Sequence, residues 1–329
     1  MTTYIIRRIF LNLAVIFILL TFVFVSVRIL PGDFAAEQVA LRQFGGAGVE
    51  GESVEDLMAE ARRALGLHGS IPEQYGRYLR DLARGDFGIS LATRESTITE
   101  TGEAFPYTLQ LGGMILLIGL VMAIPLGCLS AWQKGTRLDA ALRVLAMLGL
   151  AAPIFWTATI GTLFVLETGI IELDILGYPG FWEDPWGSFQ LFLIPALAGG
   201  AGIGAILMRL VRSEMIAVMG TDYVRTARSK GLTEATVAIR HGFRSSLATI
   251  ITMVGLLLAS LLSGTIILET MFNIPGMGQE MITAIGRRDV PMVQTLALTI
   301  AAMVVFANLV VDILTAMSDP RISVEASEA

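Results

Sequence analysis

Residues 221–244 read TDYVRTARSKGLTEATVAIRHGFR, a charged stretch set between two long apolar runs. Arg225, Arg228, Lys230, Arg240 and Arg244 are basic, while Asp222 and Glu234 are acidic. Thr221 or Asp222 is placed to cap a short helix, Gly231 to end it and Thr233 to begin another. Two short helices around a glycine form a rigid helix–turn–helix rod rather than a loose tether. At the helical rise the first of them is about 13 Å long. Val224, Ala227 and Arg228 share a face, as do Tyr223 and Ala227, so the rod is expected to show a partly apolar surface to a partner. A positive topology signal with local helix is the alternative.

The flanking runs set the class. The 329 residues have a mean hydropathy of +0.69 and are 54% hydrophobic and only 16% charged, too few polar groups to cover a soluble core of this size. Apolar runs at about 9–28, 105–131, 140–166, 190–208, 245–268 and 292–311 are each near or above the roughly 20 residues a helical span needs. Helix satisfies the backbone in hydrocarbon, so the expectation is an all-α polytopic membrane protein with six transmembrane helices. Pro125, Pro153 and Pro195 are potential kinks. The steps Gly200–Gly204 and Ser260–Gly264 suit close helix packing. Arg7 and Arg8 precede a first run without a convincing small-residue cleavage site, so residues 9–27 read as a retained span.

Orientation follows from the loops rather than from the net charge of −6. Arg7 and Arg8, then Lys134, Arg137 and Arg143, then Arg209, Arg212 and the basic residues of 221–244 fall on one side. The opposite connection 167–189 carries Glu167, Glu172, Asp174, Glu183 and Asp184 but no Lys or Arg, and 269–291 has only Arg287 and Arg288. Both termini and the charged loop are therefore expected in the cytoplasm. The resulting division is 1–28 for the N-terminus and first span, 29–104 for an extracytoplasmic segment, 105–311 for the remaining spans, 209–244 for the cytoplasmic loop within them, and 312–329 for a cytoplasmic tail.

The 29–104 segment has helix signals of its own. Ser53 precedes a stripe of Val54, Leu57, Met58, Ala61 and Leu65 that ends at Gly66. Ser70 and Glu73 have capping-box spacing, Pro72 fits a first turn, and Tyr75, Tyr78, Leu79 and Leu82 form a second stripe. A small cap packed onto the spans is expected, with the glycine-rich stretch 44–53 as a solvated insertion.

Autonomous catalysis finds little support. No G-x-x-x-x-G-K-[ST] phosphate loop is present, so no ATP hydrolysis is assigned to this chain. His68 and His241 stand apart without Cys/His ligand spacing, and the single cysteine, Cys128, reads as a small buried hydrophobe. No metal or other cofactor is expected. The acidic residues within 221–244 and the small size of the loop argue against nucleic acid, while anionic lipid headgroups are an expected contact. Glu269, at the end of an uncharged run, either shapes a cavity mouth or is an ordinary interfacial carboxylate, and Asp312 poses the same choice. Pro275, Gly276 and Gly278 let the following connection turn back toward the membrane interior.

DYVRTARSKGL, followed by VAIRHGFRSSL, resembles the cytoplasmic coupling region of permeases in bacterial binding-protein-dependent ABC importers, and most closely the dipeptide/oligopeptide/nickel subfamily. YIIRRIF with VRILPGD, YLRDLARGDFGIS, ETMFNIPGMGQEMITAIGRRDVPMVQ and DILTAMSDPRI extend the resemblance in order along nearly the whole chain. Against the broader importer consensus only Ala227 and Gly231 match strictly, and Ser245 and Thr249 stand where the peptide type has Asn and Pro. The resemblance implies an ABC-importer permease fold in the bacterial cytoplasmic membrane. It implies that Asp222, Tyr223, Val224, Arg225, Thr226, Ala227, Arg228, Ser229, Lys230 and Gly231 dock on an ATPase subunit, and that Glu269, Pro275, Gly276 and Gly278 lie near a gate. It further implies a second homologous permease, two ATPase subunits carrying ATP and Mg, an extracytoplasmic substrate-binding protein, and peptide as cargo. Nickel or another small solute is the alternative cargo. A secondary transporter without ATP coupling and a membrane scaffold are the alternatives in class.

Overall fold

The apolar runs of the sequence become helices in the computed structural model, which describes residues 2–29, 69–170 and 177–318. In chain order these are α1 (Thr2–Ile29), α2 (Ile71–Ala83), α3 (Thr97–Trp132), α4 (Arg137–Ala151), α5 (Ile154–Thr168), α6 (Pro185–Met219), α7 (Asp222–Ser229), α8 (Arg244–Phe272), α9 (Met277–Gly286) and α10 (Val290–Ser318). Among the described residues no strand forms, only a single antiparallel bridge between Ile89 and Ser96. The expected helix from Ser53 to Gly66, the 44–53 insertion and the tail beyond 318 lie outside the described residues.

Ile6–Ser26, Thr97–Trp132, Pro185–Met219 and Val290–Thr315 are each long and apolar enough to cross a bilayer. The expected span at 140–166 is not one straight helix. It breaks into α4 and α5, bent by 103°. Pro153 has no N–H to donate and pushes Ala152 out of helical geometry, to φ −75° and ψ 124°. Counted as one span, the bent pair makes a fifth. α8 covers the remaining expected span, with Arg244–Leu258 as a shorter apolar stretch.

The helix that holds the expected fourth span runs on past 208. α6 continues unbroken to Met219, because Met208, Val211 and Met215 extend its buried apolar line beneath the polar residues that alternate with them. Arg209 and Arg212 therefore stand on a helix, and the connection proper starts at Gly220.

The chain divides into two compact units. One comprises Met1–Ile16, Glu103–Ile282 and Ile300–Ala329, the other Phe17–Gly102 and Thr283–Thr299. In the first, α6 is the central strut. Its Leu191, Phe192 and Ala196 pack with Leu111 and Ile115 of α3, Ala158 of α5, and Leu261 and Leu268 of α8. The Gly200–Gly204 step does bring backbones close, since a Cβ on Gly200 would lie 2.8 Å from the Ile118 side chain and one on Gly204 3.3 Å from the Gly119 carbonyl. The Ser260–Gly264 step gains no such support: a Cβ on Gly264 would meet nothing within 4 Å. At the chain's ends, Arg8 and Asp312 pair at 3.2 Å, which gives Asp312 a structural partner.

The second unit holds what is described of the 29–104 segment. Glu73 accepts from the Ser70 N–H at 2.9 Å, and Pro72 lies in the first turn of α2, as the capping-box spacing foretold. Tyr75 and Tyr78 pack their rings on the buried Phe24 of α1, with centroids at 5.1 and 5.4 Å. Asp289 accepts from the Ser90 hydroxyl at 2.6 Å and the Ala92 N–H at 3.1 Å, and Thr97 bonds Thr295 at 2.9 Å. Two motifs far apart in sequence, RGDFGIS and RRDVPMVQ, are thereby fastened together.

Candidate functional site

α7 carries most of the residues singled out for docking. Thr221 is its N-cap residue in extended geometry, but its hydroxyl donates back to the Val218 carbonyl at 2.6 Å instead of capping, and Asp222 is the first helical residue. Gly231 follows the helix at φ +79°, a left-handed turn that an L side chain resists. Arg228 then closes the turn with a two-point pair to Glu234, at 2.8 and 3.2 Å. Gly231 thus ends the helix as the sequence indicated, whereas the Thr221 side chain does not cap its start.

The faces of this helix are not as expected. Val224 and Ala227 are buried and pack with Val237, Val218 and Met219 of the same chain. The apolar stripe thus seats α7 on the end of α6 and is not offered outward. Asp222, Tyr223, Arg225, Thr226, Arg228, Ser229, Lys230 and Gly231 are exposed. Tyr223 is fixed from the side by its hydroxyl, 2.8 Å from that of Ser245 at the start of α8.

The second helix of the expected rod is also different. Thr233 caps a single turn, Glu234–Thr236, which runs into a π-helical turn, Val237–Phe243, and then into α8 without a break. Ala238 and Phe243 pack against Val211 and Met215 of α6, with Met219 alongside, and this apolar seam draws the backbone into a wider turn. His241 lies in that turn. α7 is consequently wedged between the end of one long helix and the lead-in to the next.

A buried ion pair that sequence spacing did not reveal braces the same end of α6. The Asp139 side chain, 1% exposed, receives two hydrogen bonds from the Arg212 guanidinium at 2.8 and 2.9 Å. It also accepts from the Ser130 hydroxyl at 2.7 Å and the Gly135 N–H at 3.0 Å, with Arg143 at 3.5 Å. Every one of these donors stabilises the charged form in place. One carboxylate therefore ties α3, the turn after it, α4 and α6 together. The only local hint was Thr136 three residues ahead of Asp139, and the Thr136 hydroxyl does accept the Asp139 N–H, at 3.3 Å.

Glu269, Gly276 and Gly278 meet in three dimensions. Glu269 is fully buried, and its Oε2 accepts from the N–H groups of Gly278 at 2.7 Å and Gln279 at 3.2 Å. Its carboxylate thus sits at the N-terminus of α9, where unpaired amides and the helix dipole favour negative charge. A Cβ on Gly276 would lie 2.5 Å from the Glu269 carboxylate, so only glycine lets the backbone wrap so closely. Pro275 lies between this glycine and the buried Ile274. Thr108 of α3 accepts the Met277 N–H at 2.8 Å, and Tyr178 donates to the Phe272 carbonyl at 2.7 Å. Burial pushes the Tyr178 phenol up to about 12, so it stays a neutral donor. Asn273, left-handed at φ 55°, ends α8 and was not anticipated.

Comparison with known proteins places this geometry. Residues 123–324 match the family model of the binding-protein-dependent transport system inner membrane component. The chain is 33% identical to the di/tripeptide transport system permease protein DppB of Pseudomonas aeruginosa (strain UCBPP-PA14), over 98% of this chain and 99% of that one. It is 32% identical to the dipeptide transport system permease protein DppB of Lactococcus lactis subsp. cremoris (strain MG1363), over 98% and 99%. It is 34% identical to the dipeptide transport system permease protein DppB of Escherichia coli (strain K12), over 92% and 93%. With a family match across more than half the chain, similarity along nearly all of it, and several apolar helices of membrane length, the chain belongs to the family of binding-protein-dependent transport system inner membrane components.

Proposed function

We propose that this chain is one half of a translocation path that takes di- or oligopeptides across the bacterial cytoplasmic membrane, driven by ATP hydrolysed on separate subunits. Six spans, both termini in the cytoplasm and an extracytoplasmic 29–104 segment complete the reading, supported by the basic loops on one side and the acidic 167–189 connection on the other. Relatives named for dipeptide and di/tripeptide transport support the cargo. A second permease of the same family, two ATPase subunits and an extracytoplasmic binding protein are the partners this requires.

The observation that carries the mechanism is the seating of α7. Its apolar side is spent on Val218, Met219 and Val237, so it is joined to both α6 and the start of α8, while its polar side is left for another subunit. Movement of a docked ATPase would pass into two long helices at once. A rigid lever of this kind switches a cavity between two arrangements, provided ATP binding favours one of them over the other. Glu269, Pro275, Gly276 and Gly278 then form the turn through which the far end of α8 meets α9, close to the gate.

Proteoliposomes holding the full complex test this. Labelled dipeptide with the binding protein on one side and ATP on the other should accumulate only when ATP is present. Accumulation driven equally well by an ion gradient without nucleotide would favour the secondary-transporter reading instead.

A further inference from the structure

Arg143 and Met147 of α4 and Ile206, Arg209, Leu210 and Arg212 of α6 line an open cavity of about 540 Å³ in the first unit, within the range of roughly 300–1,000 Å³ typical of small-molecule sites. Its charges do not balance. Asp139 engages Arg212 at 2.8 Å and Arg143 at 3.5 Å, whereas no described carboxylate pairs with Arg209. Glu214, the neighbouring acid on α6, does not line the cavity. Three guanidinium groups against one carboxylate leave an excess of two positive charges. At the end of a membrane-length helix, next to hydrocarbon, unneutralised cations are costly and attract an anion.

Apart from Ser213, the rest of the lining says which kind of anion. Met147, Ile206 and Leu210 give the cavity an apolar wall, which suits the glycerol and first acyl methylenes of a lipid better than a hydrated free ion. Guanidinium groups present paired N–H donors that match phosphate oxygens. Basic pockets between helices at the cytoplasmic face are where anionic headgroups collect. We propose that this cavity binds the phosphate of an anionic phospholipid, with Arg209 and Arg143 as its donors and Arg212 held by Asp139. The assignment to the cytoplasmic leaflet rests on the orientation proposed above. A bound headgroup would brace α4 against α6 close to the end that carries α7.

Native mass spectrometry of the detergent-purified chain, titrated with dioleoyl phosphatidylglycerol or dioleoyl phosphatidylcholine, tests the site. Phosphatidylglycerol should be retained in preference. Occupancy should weaken roughly fivefold for Arg209→Ala and roughly fivefold again when Arg143→Ala is added, at about 1 kcal/mol per basic residue. Arg209→Lys should recover much of the loss, and Arg80→Ala, on the exposed face of α2, should bind as the parent does. Equal retention of the two lipids, an unchanged Arg209→Ala, or displacement of the lipid by millimolar inorganic phosphate would each overturn the proposal. So would an Arg209→Ala phenotype confined to assembly with the second permease. Labelling of Ser213→Cys from each side of membrane vesicles tests the leaflet separately: modification from the outside alone would refute the orientation without touching the detergent result.

Discussion

Arg212→Ala would strip Asp139 of both guanidinium bonds and leave its carboxylate buried. Losing one partner of a buried pair costs about 3–5 kcal/mol, and the lower end is expected because Arg143 remains 3.5 Å away. Arg212→Lys keeps the charge without the two-point geometry and should lose less. Melting temperatures in one detergent should therefore fall in the order parent, Arg212→Lys, Arg212→Ala; indistinguishable values would remove the brace from the account. This pair was hidden from the sequence for a physical reason. Its members are 73 residues apart, on helices whose contact no local spacing encodes, and Arg212 looked like one more topology charge. Gly231, by contrast, was legible because its role is local. Nothing lies within 4 Å of a Cβ placed there, so a side chain would be strained only through its φ of +79°, at about 1–2 kcal/mol. Gly231→Val should reach the membrane at parental abundance yet lose ATP-dependent uptake, and Gly231→Asn should fall between them. Parental uptake by the valine variant would show that the turn does not matter.

Among the elements, the turn from α8 into α9 shows how sequence punctuation and tertiary contact divide the information. Pro275, Gly276 and Gly278 mark a turn on composition alone, but the reason for two glycines is the Glu269 carboxylate they enclose. Glu269→Ala should leave the N–H groups of Gly278 and Gln279 without their acceptor. Each buried donor so orphaned costs about 1–3 kcal/mol. Amide hydrogen exchange over 276–280 should accelerate at least tenfold while exchange in α6 is unchanged. Equal acceleration in both would mean that Glu269 supports the whole unit and not this turn. α7 offers the converse lesson. Its boundaries could be read from Thr221 and Gly231, but which face was free could not. Val224 and Ala227 form an apolar stripe whether a partner or the same chain covers it, and only the position of Val237 decides. The broken pair α4 and α5 lies between these cases: Pro153 announced a kink, but no local signal gave its angle of 103°.

For the whole molecule, composition and charge distribution were enough for a helical, multi-pass membrane chain, and the ordered motifs were enough for its family. The path from loop to membrane was not legible, because it runs through contacts between distant segments: α7 on Met219, Ala238 and Phe243 on Met215, and Asp139 on Arg212. Together these make the end of α6 a stiff block to which α7 is fixed. In the proposed mechanism an ATPase grips the outer face of α7 and drives this block. Cysteine crosslinking in the assembled, transporting complex is the sharpest test, with Thr226→Cys on the exposed face of α7 and Trp182→Cys in the 177–184 connection as the comparison. Position 226 should crosslink to an ATPase subunit with a yield that changes between ATP and no nucleotide, and position 182 should not. Modification of position 226 from outside the cell, or crosslinks from it that never include an ATPase subunit, would rule out α7 as the point where ATP-driven motion enters the membrane helices.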